Sequence, residues 1–149
     1  MKSFEEKLDQ YAELVVKIGL NIQKGQRLLI NSSIESADFT RRVTKYAYEH
    51  GCKRVFVDWV DTELNRIHYL NASEEVLKDF IQPWEIEKFN SLADENDCML
   101  YIAGTDPSAY ANIPPERIMF VQKNGAEKLQ ALSQKRLKGD VQKLSLKFL

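Results

Sequence analysis

The sequence predicts an α/β fold, a three-layer sandwich built on a small, mainly parallel sheet. Three observations carry that expectation. Short apolar runs, "RLLIN", "RVFVDW" and "CMLYIAG", alternate with longer stretches in which apolar residues recur every three or four positions. Each connection between those runs is long enough to hold a helix, and a crossover of that kind returns the chain in the same direction. The composition, 44% hydrophobic and 29% charged over 149 residues, suits one domain with its own core. A chain of this length hides roughly 70% of its unfolded surface.

Taken in order, Phe4, Leu8, Tyr11, Val15, Ile18 and Ile22 mark one face of an amphipathic helix. The glycine turn "QKGQ" ends it, and "RLLIN" follows as the first strand. A helical pattern resumes at Ser36, with Phe39, Val43 and Ala47 on one face and Gly51 where helices usually stop. "RVFVDW", dense in β-branched and aromatic residues, is the second strand. "DTELNRIHYLN" carries only a weak helical stripe, at Leu64, Ile67 and Leu70. Ser73 before two glutamates marks a helix start, because serine caps and carboxylates complement the helix dipole. Pro83 opens the next helix, proline fitting a first helical position. "CMLYIAG" is the third strand, after which Asp106 and Pro107 read as a helix cap and first turn. One long helix is then expected through "PERIMFVQKNGAEKLQALSQKRLKG", with Ile118, Val121, Leu129 and Leu132 inward. Residues 1–140 read as one α/β domain. Residues 141–149 form a tail of alternating pattern, Val141, Leu144, Leu146 and Phe148 being its apolar members.

Charge excludes some functions. With 21 basic against 22 acidic residues the formal charge is -1, so the basic excess that nucleic acid or a membrane surface demands is missing. "MKSFEEKLDQ" is amphipathic and acidic, unlike a signal peptide. No apolar run approaches the roughly 20 residues of a membrane span, and a cytoplasmic protein is expected. Cys52 and Cys98 lie beside or inside apolar runs and read as small buried hydrophobes rather than as a disulfide.

In an open parallel sheet, ligands bind beyond the carboxyl ends of the strands. Three segments converge there: "NSSIESAD", "DWVDTE" and "AGTDPS". Ser32, Ser33 and Ser36 place hydroxyls, and Glu35 a carboxylate, beside a helix N-terminus whose N–H groups can hold an anion. The plainer reading is that Ser33 or Ser36 caps the helix. Asp58, Asp61 and Glu63, with Trp59 among them, make the second segment acidic. Close carboxylates bind a metal or an ammonium group, or raise one another's pKa for proton transfer. The alternative is a solvated acidic loop with Trp59 packed into the core.

Other chemical signatures are sparse. No G-x-G-x-x-G, G-x-x-x-x-G-K-[ST] or G-x-S-x-G occurs, which argues against dinucleotide, nucleoside-triphosphate and serine-hydrolase chemistry. The histidines, His50 and His68, are not spaced as H-x-x-x-H, and a zinc enzyme usually needs three protein ligands. His68 is the one with acidic candidates nearby in sequence, Asp58 and Asp61.

Several segments together resemble the N-terminal domain of the thermophilic-type metalloaminopeptidases, the aminopeptidase T and aminopeptidase S family. The matching features are "YAELVVKIGLNIQKGQ", "ADFTRRVTKYAYEHGCKRV", the W-x-D-x-E-L-x-R run from Trp59 to Arg66, "ASEEVL", and "PPERI" with the helix after it. They spread over residues 8–140. The resemblance implies a two-domain, dimeric enzyme that releases N-terminal amino acids from peptides with two divalent ions, cobalt, zinc or magnesium. It also implies that the metal ligands, glutamates, histidines and an aspartate, belong to a C-terminal domain, so none of them maps onto this chain. The likeness ends after "KRLKGD". There the family continues into a strand with a tryptophan and a proline-rich turn, whereas this chain reads "VQKLSLKFL". That tail is either the start of the next strand cut short or a set of unrelated residues.

Three readings of function follow. In the first, the chain is the N-terminal domain of such an aminopeptidase, inactive without its metal site. Ser32, Ser33, Glu35, Asp58, Trp59, Asp61 and Glu63 are then the candidates to wall the substrate cleft. The second is a non-catalytic module that self-associates, or binds a partner, through a face that a second domain would cover. The third is a small hydrolase holding one metal with Asp58, Asp61 and His68.

Overall fold

A computed structural model of the chain describes residues 1–104, 106–138 and 142–148. Four parallel strands form one sheet in the order β2-β1-β3-β4. They are β1 (Arg27–Ser33), β2 (Arg54–Val60), β3 (Cys98–Gly104) and β4 (Gln142–Phe148). The first three are the apolar runs of the sequence, and the alternating tail supplies the fourth.

Helices cover both faces, so the expected three-layer sandwich is the observed one. Successive residues of a strand face opposite ways. Leu28, Ile30, Cys98, Leu100 and Ile102 therefore meet α1 (Phe4–Leu14), the turn that follows it and α2 (Ala37–Glu49), through Ala12, Val16, Phe39, Val43 and Ala47. Leu29 and Met99 meet the other layer, α5 (Pro83–Asp94) and α7 (Gln130–Leu137), through Leu92, Ala93 and Leu132. Burial on both faces explains why these strands read as continuous apolar runs instead of alternating ones. At the amino end of the sheet, the Arg27 N–H and Nε each donate to the buried Asp97 carboxylate at 2.7 Å. Arg27 Nη2 also donates to the Ser91 carbonyl and hydroxyl at 3.2 Å, tying β1 to α5.

Two helices depart from expectation. The first does not keep one face. α1 ends at Leu14, and a π-helical turn spans Val15–Gly19, closed where Leu20 N–H donates to the Val15 carbonyl at 2.8 Å. A wider turn rotates everything after it. Val15, Val16, Leu20 and Ile22 are buried while Ile18, expected inward, faces solvent. Phe4 is exposed too, and Tyr11 stays at the margin, stacked on Phe39 at 5.4 Å. The long last helix divides at Leu129 into α6 (Pro115–Lys128) and α7. The break lets α7 lie on the sheet through Leu132 while α6 packs on α4 (Glu74–Lys78). Buried Asn124 joins the two regions, its Oδ1 accepting the Ile81 N–H at 2.9 Å.

Both cysteines are free and buried in the layer of α1 and α2, as the sequence suggests. Burial pushes the Cys98 thiol up to about 12 and raises Cys52 in the same direction. In an unfolded chain a thiol titrates near ~8.5. Above that pH the unfolded state loses protons that the folded state keeps, so stability is expected to fall progressively from about pH 8.5 towards 12. Neither thiol should react with a disulfide reagent at pH 8 until denaturant is added. Prompt labelling of two thiols in the folded chain would refute this. Among the described residues, no helix is long and apolar enough to cross a membrane.

Candidate functional site

The loops after β1 and β3 leave the sheet towards opposite layers, because β1 leads into α2 and β3 leads on to α6 and α7. Between neighbouring strands whose connections diverge, a crevice opens at the carboxyl ends. Here it has a volume of about 620 Å3. Ser33, Glu35, Asp61 and Glu63 line it, together with Ser36, Tyr101, Asp106 and Tyr110. Ser32 lies beneath, wholly buried, its hydroxyl paired with Thr40 Oγ1 at 2.8 Å and donating to the Ser33 carbonyl at 3.0 Å. Asp58 and Trp59 are not part of the lining.

The serines do not cap α2 as expected. A 3-10 turn at Ile34–Ser36 intervenes between strand and helix, and no side chain bonds to the helix start from either Ser33 or Ser36. The turn folds the two hydroxyls onto each other at 3.0 Å. The side-chain cap of this region is an aspartate. Asp61 Oδ1 accepts the N–H groups of Glu63 at 3.0 Å and Leu64 at 3.4 Å, starting α3 (Thr62–Asn71). A cap of this type contributes ~1 kcal/mol. Asp106 starts no helix. It closes a tight turn, accepting the Ser108 N–H at 2.9 Å and hydroxyl at 2.6 Å. Those bonds, the hydroxyl's first, hold its carboxyl below the usual range and keep it ionised.

Four carboxylates thus surround the crevice, and no lysine or arginine is among its described lining residues. Such a lining attracts cations and repels the anions that a helix N-terminus would otherwise hold. Glu35 makes no hydrogen bond or ion pair among the described residues, and Glu63 only approaches Arg66 Nε at 3.8 Å. These two are the carboxylates with capacity left for a ligand.

The far wall depends on residues that the sequence reading did not single out. Arg66 Nη1 donates to the Ala109 carbonyl at 2.9 Å, and Asn65 Nδ2 reaches the Tyr110 hydroxyl at 3.5 Å. Tyr69 packs edge-on against Tyr110, with ring centres 5.6 Å apart. Burial, and then the neighbouring Tyr110, raises the Tyr69 phenol above its ordinary pKa. Arg117 Nε donates to the Tyr69 carbonyl at 2.6 Å, and its Nη2 to that of Ala72. Together these contacts clamp α3 to the turns after β3. The arginine of the W-x-D-x-E-L-x-R run was the one visible signal.

Asp58 serves elsewhere, paired with Lys88 of α5 at 2.5 Å. Lys88 also lies 5.3 Å from the Phe89 ring centre and 5.8 Å from that of Trp84. Trp59 is 48% exposed, not packed into the core, because β2 is an edge strand with one flank uncovered. His68 packs edge-on against Phe80 at 5.8 Å, away from Asp58 and Asp61 in their own bonds. The three-ligand arrangement of Asp58, Asp61 and His68 is not formed. Among the described residues, no three His, Cys, Asp or Glu side chains group closely enough to hold a metal ion. The residues present therefore do not fit the metal pair implied by the family resemblance.

The parallel sheet, with an acidic crevice at its carboxyl end where the strand order switches, makes the chain an open α/β unit. It belongs to the family described as thermophilic metalloprotease (M29), whose sequence model matches residues 4–146. It is 34% identical over 134 residues to aminopeptidase AmpS of Bacillus subtilis and 36% identical over 129 residues to aminopeptidase 2 of Geobacillus stearothermophilus. To aminopeptidase T of Thermus thermophilus it is 35% identical over 126 residues. These matches cover 90%, 87% and 85% of this chain but only 32%, 31% and 31% of the relatives, so the chain spans about a third of their length. The solved structure of wild-type AmpT from Thermus thermophilus superposes with a TM-score of 0.87 at 30% identity, covering 99% of this chain and 37% of that one.

Proposed function

We propose that the chain is the N-terminal α/β part, residues 1–140, of a cytoplasmic metal-dependent aminopeptidase that releases N-terminal amino acids from peptides. Residues 141–149 are the tail that follows it. The observation that carries this reading is the crevice ringed by Glu35, Asp61, Glu63 and Asp106, with no lysine or arginine among its described lining residues. A peptide's N-terminal ammonium is the ligand those charges favour, with Ser32 and Ser33 supporting the floor. Two divalent ions, cobalt, zinc or magnesium, would supply hydrolysis from ligands outside these residues. The relatives' aminopeptidase names and the family's metalloprotease description support the assignment. The chain by itself is then inactive. Release of p-nitroaniline from an aminoacyl anilide by the purified chain should not rise above background with cobalt, zinc or magnesium. Metal-stimulated release that survives repurification would overturn the reading.

A second reading, self-association as a homodimer, is favoured by a separate observation. Leu64, Ile67 and Leu70 form the stripe on α3, yet they are 50%, 55% and 46% exposed. An apolar helix face left in water tends to be an interface.

A further inference from the structure

The open edge of the sheet carries a pattern that the crevice does not use. β2 has a neighbour on one side only. The Val55 N–H donates to the Tyr48 hydroxyl at 3.0 Å and not to β1, so it points out of the sheet. Along a strand that direction repeats at every second residue, which puts the polar groups of Val57 and Trp59 on the same edge. Such an edge templates pairing with another chain unless it is blunted. Phe56, on the face shared with Arg54 and Asp58, is 39% exposed, and the Arg54 guanidinium lies 4.9 Å from its ring.

We propose that β2 pairs antiparallel with β2 of a second copy about a two-fold axis, making one sheet across the pair. The sequence of the strand selects the register. With Phe56 on the axis, Phe56 faces its own copy, Val55 faces Val57, and Arg54 faces Asp58 at both ends. Each cross-strand pair is then apolar on apolar or opposite in charge, the combinations that stabilise a sheet. Sliding the copies sets Phe56 against Asp58 or against Arg54, and a further slide sets Asp58 against itself. A two-fold contact requires one patch to complement itself, and this seven-residue strand does so in one register. Asp58 would lie between Lys88 and the second copy's Arg54, and Tyr48 would yield the Val55 N–H to the incoming carbonyl.

This rests on the self-association reading above, but places the contact on the β2 edge and not on the α3 stripe. The test is Phe56→Cys in the full chain. Directly opposed residues outside the hydrogen-bonded pairs stand ~4.5 Å apart at Cα, within disulfide reach. Oxidation should convert most of the chain to a covalent dimer, while Val57→Cys and Trp59→Cys stay largely uncrosslinked. The native cysteines are buried and do not compete. Arg54→Asp should weaken the dimer about tenfold or more in sedimentation equilibrium, with unchanged circular dichroism. Preferential crosslinking of Val57→Cys would overturn the register. A dimer in sedimentation without crosslinking of Phe56→Cys would overturn the edge contact and leave self-association standing. A monomer throughout would overturn both.

Discussion

Arg27→Ala is expected to lower stability by about 3–5 kcal/mol, the range for breaking a buried ion pair by removing one member. Asp97 is only 2% exposed and receives the Arg27 main-chain N–H, Nε and Nη2 within 2.7 Å. Alanine leaves it the main-chain N–H alone, a neutral donor facing a full buried charge. The reverse change, Asp97→Ala, should cost less, because 24% of the Arg27 side chain is exposed and water can solvate it. Arg27→Lys should fall between, since an ammonium keeps the charge but not the fork that also reaches Ser91. For a domain near this size each kcal/mol moves Tm by ~2–4 °C, so a drop of ~10 °C is anticipated. Urea denaturation of the three variants checks the order. A loss under ~1 kcal/mol for Arg27→Ala would remove the pair from the stability of the fold.

Leu100→Ala is the second large effect, at about 2–5 kcal/mol. Leu100 is fully buried on an interior strand, with Ile30 beside it on β1 and Leu144 on β4. Strand backbones on both sides resist collapse into the space left behind, so transfer and cavity costs both apply. The same chemical change at Leu64, half in water on α3, should cost under ~0.5 kcal/mol. Equal losses at the two positions would contradict the burial described here.

The architecture was largely legible because strand and helix patterns are local. "RLLIN", "RVFVDW" and "CMLYIAG" announce buried parallel strands, and Ser73, Pro83 and Gly51 punctuate helices where the chain does turn. Failures came where a constant repeat was assumed. One π-helical turn moved Ile18 outward, and a bend at Leu129 split a helix that periodicity kept whole. The site was half legible. The crevice and Ser33, Glu35, Asp61 and Glu63 followed from topology, but side-chain partners did not. Lys88 is 30 residues from Asp58 and Ala109 is 43 from Arg66, so nothing near either residue foretells the contact. Trp59 illustrates the same limit. Large aromatic residues are usually buried, but only the strand order reveals that it sits on an open flank.

The strand order also bears on time. β1 finds β2 after one short crossover, yet its other neighbour begins 70 residues away, the same separation that Arg27 and Asp97 must close. Closing the longer loop forfeits more chain entropy before any contact rewards it. The unit of β1, α2 and β2 is therefore expected to assemble early, with β3 docking afterwards. Contacts made late stabilise the native state without hastening its formation. In a chevron plot, Leu100→Ala and Arg27→Ala should raise the unfolding limb and leave the refolding limb nearly in place. Half of the sheet would then set how fast the protein folds, and the other half how long it stays folded.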